Sequence, residues 1–230
     1  YSQIELRVLA LLSKDKTLTR ILQEGVDVHA AVASHMFSVP LDQVTKDMRR
    51  KAKVINFGII YGMGITSLQR ALKSTREEAR IFYDDYFKKF PGVLEYIEHI
   101  KRETAERGYT ETFFGRRRYI EGIHSNIEYV RSAAERMAVN APIQGTATGD
   151  IIKLAIIRAD EKLRAEGLED KAFLLLQVHD ELVYEIKEDI TSVAVPLIKN
   201  IMEHIMKTDI PFVVDVSMGE NWGEMRKIKE

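Results

Sequence analysis

Arg49, Lys53, Phe57 and Tyr61 recur at intervals of four within Arg49-Arg50-Lys51-Ala52-Lys53-Val54-Ile55-Asn56-Phe57-Gly58-Ile59-Ile60-Tyr61-Gly62. On a helix of about 100° per residue, each step of four drifts by only roughly 40°, so the four side chains make one slowly winding stripe. Its chemistry changes from cationic to aromatic along its length. That suits a ligand with phosphates at one end and a flat ring at the other, the shape of a nucleoside triphosphate. Arg49 offers a planar fork and Lys53 a compact charge. An anion bound there would offset the cost of placing two cations in the first turns of a helix, where the dipole disfavours them. A solvated basic face whose Phe57 and Tyr61 enter the core has the same spacing.

A second centre lies at Gln177-Val178-His179-Asp180-Glu181, enclosed by the apolar runs 173–176 and 182–184, which read as buried strands of a hairpin. His179 and Asp180 turn the chain without glycine, and aspartate is among the few residues that tolerate positive φ. Two adjacent carboxylates repel, and burying them is costly without a cation. A hard divalent ion such as magnesium, with oxygen ligands and retained waters, resolves that cost. An exposed, solvated turn is the alternative.

The elements that must position these groups follow from pattern. Residues 1–7 begin as a strand and pass into a buried helix. Residues 18–24 and 28–37 read as short amphipathic helices, parted by Gly25 and closed by Pro40. Gly62 and Gly64 end the Arg49–Tyr61 helix. Residues 65–108 are helical, with Thr66 or Ser67 and Thr75 as caps and Pro91 as a break; Phe82, Tyr83, Tyr86, Phe87 and Phe90 pack a core. Residues 109–120 form a hairpin that lifts Arg116-Arg117-Arg118 on a Gly115 turn, a clamp for phosphates. A long helix over 126–141 carries an apolar stripe of Val130, Ala134, Met137 and Ala141. On another face Arg136, Asn140 and Gln144 can meet a duplex in its minor groove, where hydrogen-bond patterns are degenerate. Residues 191–207 read as a helix burying Val193, Leu197, Ile201 and Ile205. Phe212, Val214, Val216 and Met218 then alternate as the buried side of a strand, and 219–230 is a polar tail.

Composition narrows the setting. The chain has 230 residues, 45% of them hydrophobic, enough for one large or two moderate domains with cores. A net charge of -1 means that any phosphate-binding surface is local, and residues 46–53 concentrate five cations against Asp47. Absent cysteine excludes disulfides and cysteine-based zinc sites and fits a reducing, cytoplasmic interior. No apolar run approaches the roughly 20 residues that span a bilayer, so no membrane is expected. The chain opens without methionine, inside what reads as a structured element, which suggests a piece of something longer.

Arg-x-x-x-Lys-x-x-x-Phe-x-x-x-Tyr-Gly, with its Ile-Asn-Phe-Gly, resembles the nucleotide-binding helix of family A DNA polymerases, the bacterial DNA polymerase I family. Four further blocks follow that family's order: Tyr-Ser-Gln-Ile-Glu-Leu-Arg at the start, Phe-Gly-Arg-Arg-Arg, Arg-Met-Ala-x-Asn-x-Pro-x-Gln-Gly-Thr-Ala and His-Asp-Glu. The resemblance implies an α+β right-hand polymerase fold: palm over 1–12, mostly helical fingers over 13–120, and palm with an antiparallel sheet and catalytic hairpin over 121–230. It implies deoxynucleotidyl transfer from dNTP to a primer 3'-hydroxyl with two magnesium ions, or manganese in their place. Asp180 and the Tyr1 backbone carbonyl become metal ligands and Glu181 a supporting carboxylate, so that Asp180, Glu181 and Lys53 form the catalytic set. Arg49, Lys53, Phe57, Tyr61, Gln3, Glu5 and His29 become dNTP contacts, Glu5 as the gate against a ribose 2'-hydroxyl. Arg116, Arg117, Arg136, Asn140, Gln144 and His179 become primer-template contacts.

Two departures bear on this reading. The family's leading Asp would precede Tyr1, so the chain is expected to need the N-terminal remainder of a polymerase, with its thumb and first palm strands, and to be inactive alone. The family's Gly-Thr-Ala-Ala-Asp is also one residue longer here, Gly145-Thr146-Ala147-Thr148-Gly149-Asp150. One extra residue rotates a helix by about 100° unless a wide turn or π-bulge absorbs it, which Gly149 permits. The rival functions are a non-catalytic DNA-binding module derived from a polymerase and a single-subunit RNA polymerase. Glu5 and Phe57 disfavour the latter, because RNA synthesis needs room for the 2'-hydroxyl.

Overall fold

The computed structural model describes residues 1–228 and forms two units, Glu5–Thr146 and, joined to Tyr1–Ile4, Ala147–Glu230. The larger contains α1 (Ile4–Ser13), α2 (Lys16–Gln23), α3 (Val28–Met36), α4 (Lys46–Ile60), α5 (Ile65–Leu72), α6 (Arg76–Lys89), α7 (Pro91–Arg107) and α8 (Glu128–Gln144). It carries one small antiparallel hairpin, β1 (Tyr109–Glu111) and β2 (Arg117–Tyr119). The smaller contains α9 (Ile152–Ala165), the antiparallel hairpin β3 (Ala172–Val178) and β4 (Glu181–Ile186), α10 (Thr191–Glu203), and a short ladder of β5 (Ser217–Met218) with β6 (Arg226–Lys227). The expected α+β class is what the chain adopts.

Local signals account for most helix starts. Asp15 caps α2 by accepting the Leu18 amide at 2.8 Å, and its second oxygen accepts the Gly92 amide at 2.9 Å. That aspartate is only 2% exposed, yet both oxygens are satisfied, so it ties α2 to the start of α7. A side chain at residue 92 would press a Cβ to 2.9 Å from the Asp15 Cα, hence Gly92. Thr75 and Glu78 form a capping box on α6. Pro91 both stops α6 and starts α7 at the position where its missing N–H costs nothing. Behind α4 the aromatic core gathers as expected, with Tyr86, Phe87 and Phe90 buried.

The residue added after Ala147 is absorbed as anticipated. Gly145–Ile151 forms a seven-residue π-helix, and α9 continues from it with Ile152, Ala155, Ala159 and Leu163 buried. Here the β1–β2 hairpin is fastened: Thr146, fully buried, accepts the Phe113 amide on its hydroxyl at 2.9 Å.

Several expectations fail for physical reasons. Residues 1–3 make no strand; Ser2 gives one backbone bond to Val213 at 2.8 Å, and Gln3 turns left-handed at φ 55. Gly64, not Thr66 or Ser67, caps α5. Residues 173–176 are 37–53% exposed rather than buried, because among the described residues β3 pairs only with β4 and its faces lie open. Residues 212–216 are extended but form no ladder; the Val214 amide bonds instead to the Glu203 carboxylate at 3.0 Å. Phe212 and Val214 are buried, whereas Met218 is exposed. On α10 the buried face is Ala194, Ile198 and Met202, and Val193 is exposed, since two apolar stripes overlap there and packing on α9 selects one. Met137 of α8 is likewise exposed beside Arg118. The left-handed residue of the β3–β4 turn is His179, at φ 53, not Asp180.

A methyl group at Gly145 would come 2.7 Å from the Thr112 Cγ2. Gly145→Ala is therefore expected to destabilise the chain by about 1–3 kcal/mol, read from urea unfolding. Adding Thr112→Ser, which deletes that methyl and keeps the hydroxyl, should recover most of the loss.

Candidate functional site

The stripe on α4 exists, but its setting differs from the one spacing suggested. The helix begins at Lys46, capped by the Thr45 hydroxyl, with Asp47 in its first turn. Asp47 pairs with Arg50 at 2.6 Å and Lys51 at 3.2 Å. Arg49 and Lys53 thus lie beyond the first turn, where the helix dipole has little hold, and the dipole argument for a bound anion lapses. What remains is side-chain chemistry.

Arg49 is engaged. Its Nε and Nη2 donate at 3.1 and 2.5 Å to one oxygen of Asp27, whose other oxygen accepts the Ala30 amide at 2.9 Å as the cap of α3. Burial pushes the Asp27 carboxyl up, but Arg49, the Ala30 amide and the neighbouring positive charges outweigh it and hold the pKa below the usual range. Lys53 is exposed and has no anionic partner among the described residues; its ammonium lies 5.7 Å from the centroid of the Phe57 ring. Phe57 stacks with Tyr61 at 6.2 Å and 20°. The Tyr61 hydroxyl donates to Glu5 at 3.1 Å, joining the first carboxylate of α1 to the end of the stripe. The four residues of the stripe and Glu5 are therefore one assembly.

His29 is placed next to that assembly but is only 2% exposed, packed 5.7 Å from the Phe57 ring. Its Nδ1 lies 2.9 Å from the side-chain amide of Asn56, one turn before the aromatic end of α4. Burial, with help from Arg49 and Lys53 and against the pull of Asp27, pushes its pKa down to about 4. The ring is neutral at pH 7.

The basic hairpin presents its arginines unequally. Arg117 is committed, donating to Glu111 at 2.7 Å and lying 4.7 Å from the Tyr109 ring centroid. Arg116 is exposed at the tip, its amide held by the Thr112 hydroxyl at 3.1 Å. On α8, Asn140 donates to Gln144 at 3.3 Å, and the Asn140 Oδ1 is buried with no partner. The aliphatic stem of Arg136 packs against Gly62, where a Cβ would meet its Cγ at 2.8 Å, so only glycine lets the α4–α5 turn lie so close.

In the smaller unit, Val178 pairs with Glu181 and closes the two-residue turn of His179 and Asp180. The Gln177 side chain braces it by donating to the His179 carbonyl at 3.1 Å. Tyr1 is anchored beneath: its amino group donates to the Asp180 carbonyl at 2.9 Å and its hydroxyl to the Met202 carbonyl at 2.9 Å. A cavity of about 340 Å³ opens here, walled by Tyr1, Asp180, Glu181, Tyr184, Met202 and Trp222. Asp180 is half-buried and Glu181 exposed, and neither carboxylate has a partner among the described residues. The expected cost of burying this pair is therefore small. Among the described residues no group of three or more His, Cys, Asp or Glu side chains gathers as a metal cage. Two carboxylates nevertheless fit magnesium, which usually takes one or two of them together with waters and substrate phosphates.

Sequence reasoning overlooked Asp27, Asn56 and Thr146 as holding residues. Asp27 carried a signal, an N-cap residue two before a candidate histidine; Asn56 carried another, a polar side chain on the apolar side of α4.

A helical body with a cation-to-aromatic helix, beside a hairpin bearing unpaired carboxylates, defines an α+β polymerase domain. The POL domain of Pol1 from M. smegmatis, in complex with DNA primer-template and dNTP, superposes with a TM-score of 0.87 at 42% identity, covering 92% of this chain and 37% of that one. The chain belongs to DNA polymerase family A, whose match runs over residues 1–224. It is 46% identical over 224 residues to DNA polymerase I of Pseudomonas aeruginosa and 47% identical over 222 residues to the thermostable DNA polymerase I of Thermus aquaticus. These alignments cover 97% and 96% of the chain but 24% and 26% of those proteins, so it spans about a quarter of their length. Among the described residues no helix is long and apolar enough to cross a membrane.

The neutral His29 ties folding to protons. Its folded pKa of about 4 lies below the unfolded value of roughly 6.5, so between them the unfolded chain binds more protons. Its contribution is complete above pH 6.5 and fades as pH falls through 4, a loss on the order of 2–4 kcal/mol. Urea unfolding across that window should show a shallower pH dependence in His29→Gln than in the parent.

Proposed function

We propose that this chain supplies the nucleotide-binding and metal-binding parts of a template-directed DNA polymerase, which joins dNTPs to a primer 3'-hydroxyl. The observation that carries this is Lys53, an exposed ammonium with no anionic partner among the described residues, ranged along the Phe57–Tyr61 stack. Lys53 and Arg49 neutralise the triphosphate, with Asp27 fixing the plane of the Arg49 fork. Phe57 and Tyr61 meet base and sugar, and Gln3 and His29 complete the dNTP contacts. Glu5, held by the Tyr61 hydroxyl, takes the place a 2'-hydroxyl would need, which favours DNA over RNA synthesis.

Asp180, supported by Glu181 and the Tyr1 carbonyl, would hold a divalent ion. Bound magnesium, or manganese, lowers the pKa of the 3'-hydroxyl and stabilises charge on the triphosphate and leaving pyrophosphate. His179 meets the primer end. Arg116 and Arg117 take template phosphates, and Arg136, Asn140 and Gln144 follow the minor groove without reading sequence. Fingers over 13–120 and palm over 1–12 and 121–230 are the functional division that goes with these roles, in a cytoplasmic protein.

The chain is incomplete as a catalyst. Two adjacent carboxylates fall short of a two-ion site, and the open faces of β3, from Phe173 to Leu176, await cover. The N-terminal remainder of a polymerase supplies both, as the fourfold greater length of the relatives allows.

Two outcomes are expected. Primer extension by the isolated chain stays at background, whereas mixing with the missing N-terminal part restores it; robust synthesis by the chain alone defeats the proposal of incompleteness. In the reconstituted enzyme, Lys53→Ala should raise KM for dNTP at least tenfold, and an unchanged KM removes Lys53 from the triphosphate site.

A further inference from the structure

We propose that Asn56 is a positioning residue: its side-chain amide, donated to Nδ1 of His29, holds the imidazole in the tautomer that carries its proton on Nε2. The inference rests on the triphosphate reading of the α4 stripe and specifies the state of the histidine next to it.

Asn56 is fully buried in the interior of α4, among Ala52, Ile55, Ile59 and Ile60. Asparagine is a weak helix former, because its side chain competes for backbone bonds, and burying it costs more unless it is paired. Its presence therefore needs a partner, and His29 is that partner at 2.9 Å. Two amide orientations are conceivable. In one, Nδ2 donates to an unprotonated Nδ1 and a single acceptor, Oδ1, goes without a partner, as observed. In the other, Oδ1 accepts from a protonated Nδ1 and both amide hydrogens are stranded in an apolar interior. The first leaves less unsatisfied.

Consequences for ligand binding follow from the ring's chemistry. His29 is neutral, so it offers one donor and one acceptor. With Nδ1 committed to Asn56, Nε2–H is the donor left for an anionic oxygen. The other tautomer would turn a lone pair toward that oxygen and repel it. Packing against Phe57 at 5.7 Å and an exposure of 2% keep the ring from turning to compensate.

The test is a two-bond ¹H–¹⁵N spectrum of this chain labelled with ¹⁵N-histidine at pH 7. The expected result is a protonated Nε2 and an unprotonated Nδ1 for His29. In Asn56→Asp, whose carboxylate can only accept, the proton should move to Nδ1 while the signals of the other five histidines keep their shifts. A protonated Nδ1 in the parent, or an unchanged tautomer in Asn56→Asp, overturns the proposal. In the reconstituted enzyme, Asn56→Leu should raise KM for dNTP about tenfold with kcat nearly unchanged. An unchanged KM in Asn56→Leu beside a raised KM in Lys53→Ala overturns the positioning role. An unchanged KM in both variants overturns the triphosphate reading itself, and the tautomer spectrum then stands apart from it.

Discussion

The constraint on which the larger unit depends is the meeting of α3 with α4. Asp27 caps α3 with one oxygen and takes the Arg49 guanidinium with the other, so the start of one helix fixes the direction of a charge on the next. Two residues further on, His29 takes the Asn56 amide, two turns along α4 from Arg49. These polar contacts register the helices more sharply than apolar packing alone would, because hydrogen bonds are directional and dispersion is not. The cationic and aromatic groups of α4 are thereby presented as a set.

A different device serves the smaller unit. Its carboxylates stand on a two-residue turn that accepts a left-handed histidine, a conformation that costs energy in a non-glycine residue. Bonds from Tyr1 to the Asp180 carbonyl and from Gln177 to the His179 carbonyl hold that turn. Both carbonyls of the turn are thus occupied by donors, and the carboxylates remain without partners among the described residues. Structure is spent on the backbone here, and the side chains are left for chemistry.

The π-helix shows how a family tolerates an added residue. A continuing α-helix would have carried the extra residue into a rotation of everything after it. A single wide turn confines the change to Gly145–Ile151 and leaves α9 with its apolar face inward. Thr146, inside that turn, fastens the hairpin that lifts Arg116, so the site of accommodation is also a site of attachment.

The sequence by itself determined the elements whose signals are local. The interval of four on α4, the Thr75 capping box, the Pro91 break, the length of the β3–β4 turn and the presence of a wide turn near Gly149 all depend on neighbours within a few residues. It also determined family membership, through motifs that hold their spacing. Only the tertiary structure decided what those residues face. Asp27 claims Arg49 and Asn56 claims His29 across more than twenty residues of chain, which no periodicity encodes. The apolar runs 173–176 and the alternation over 212–218 are identical in the sequence whether or not a sheet covers them. Burial is a property of the partner surface, and pattern within one strand carries no record of that surface.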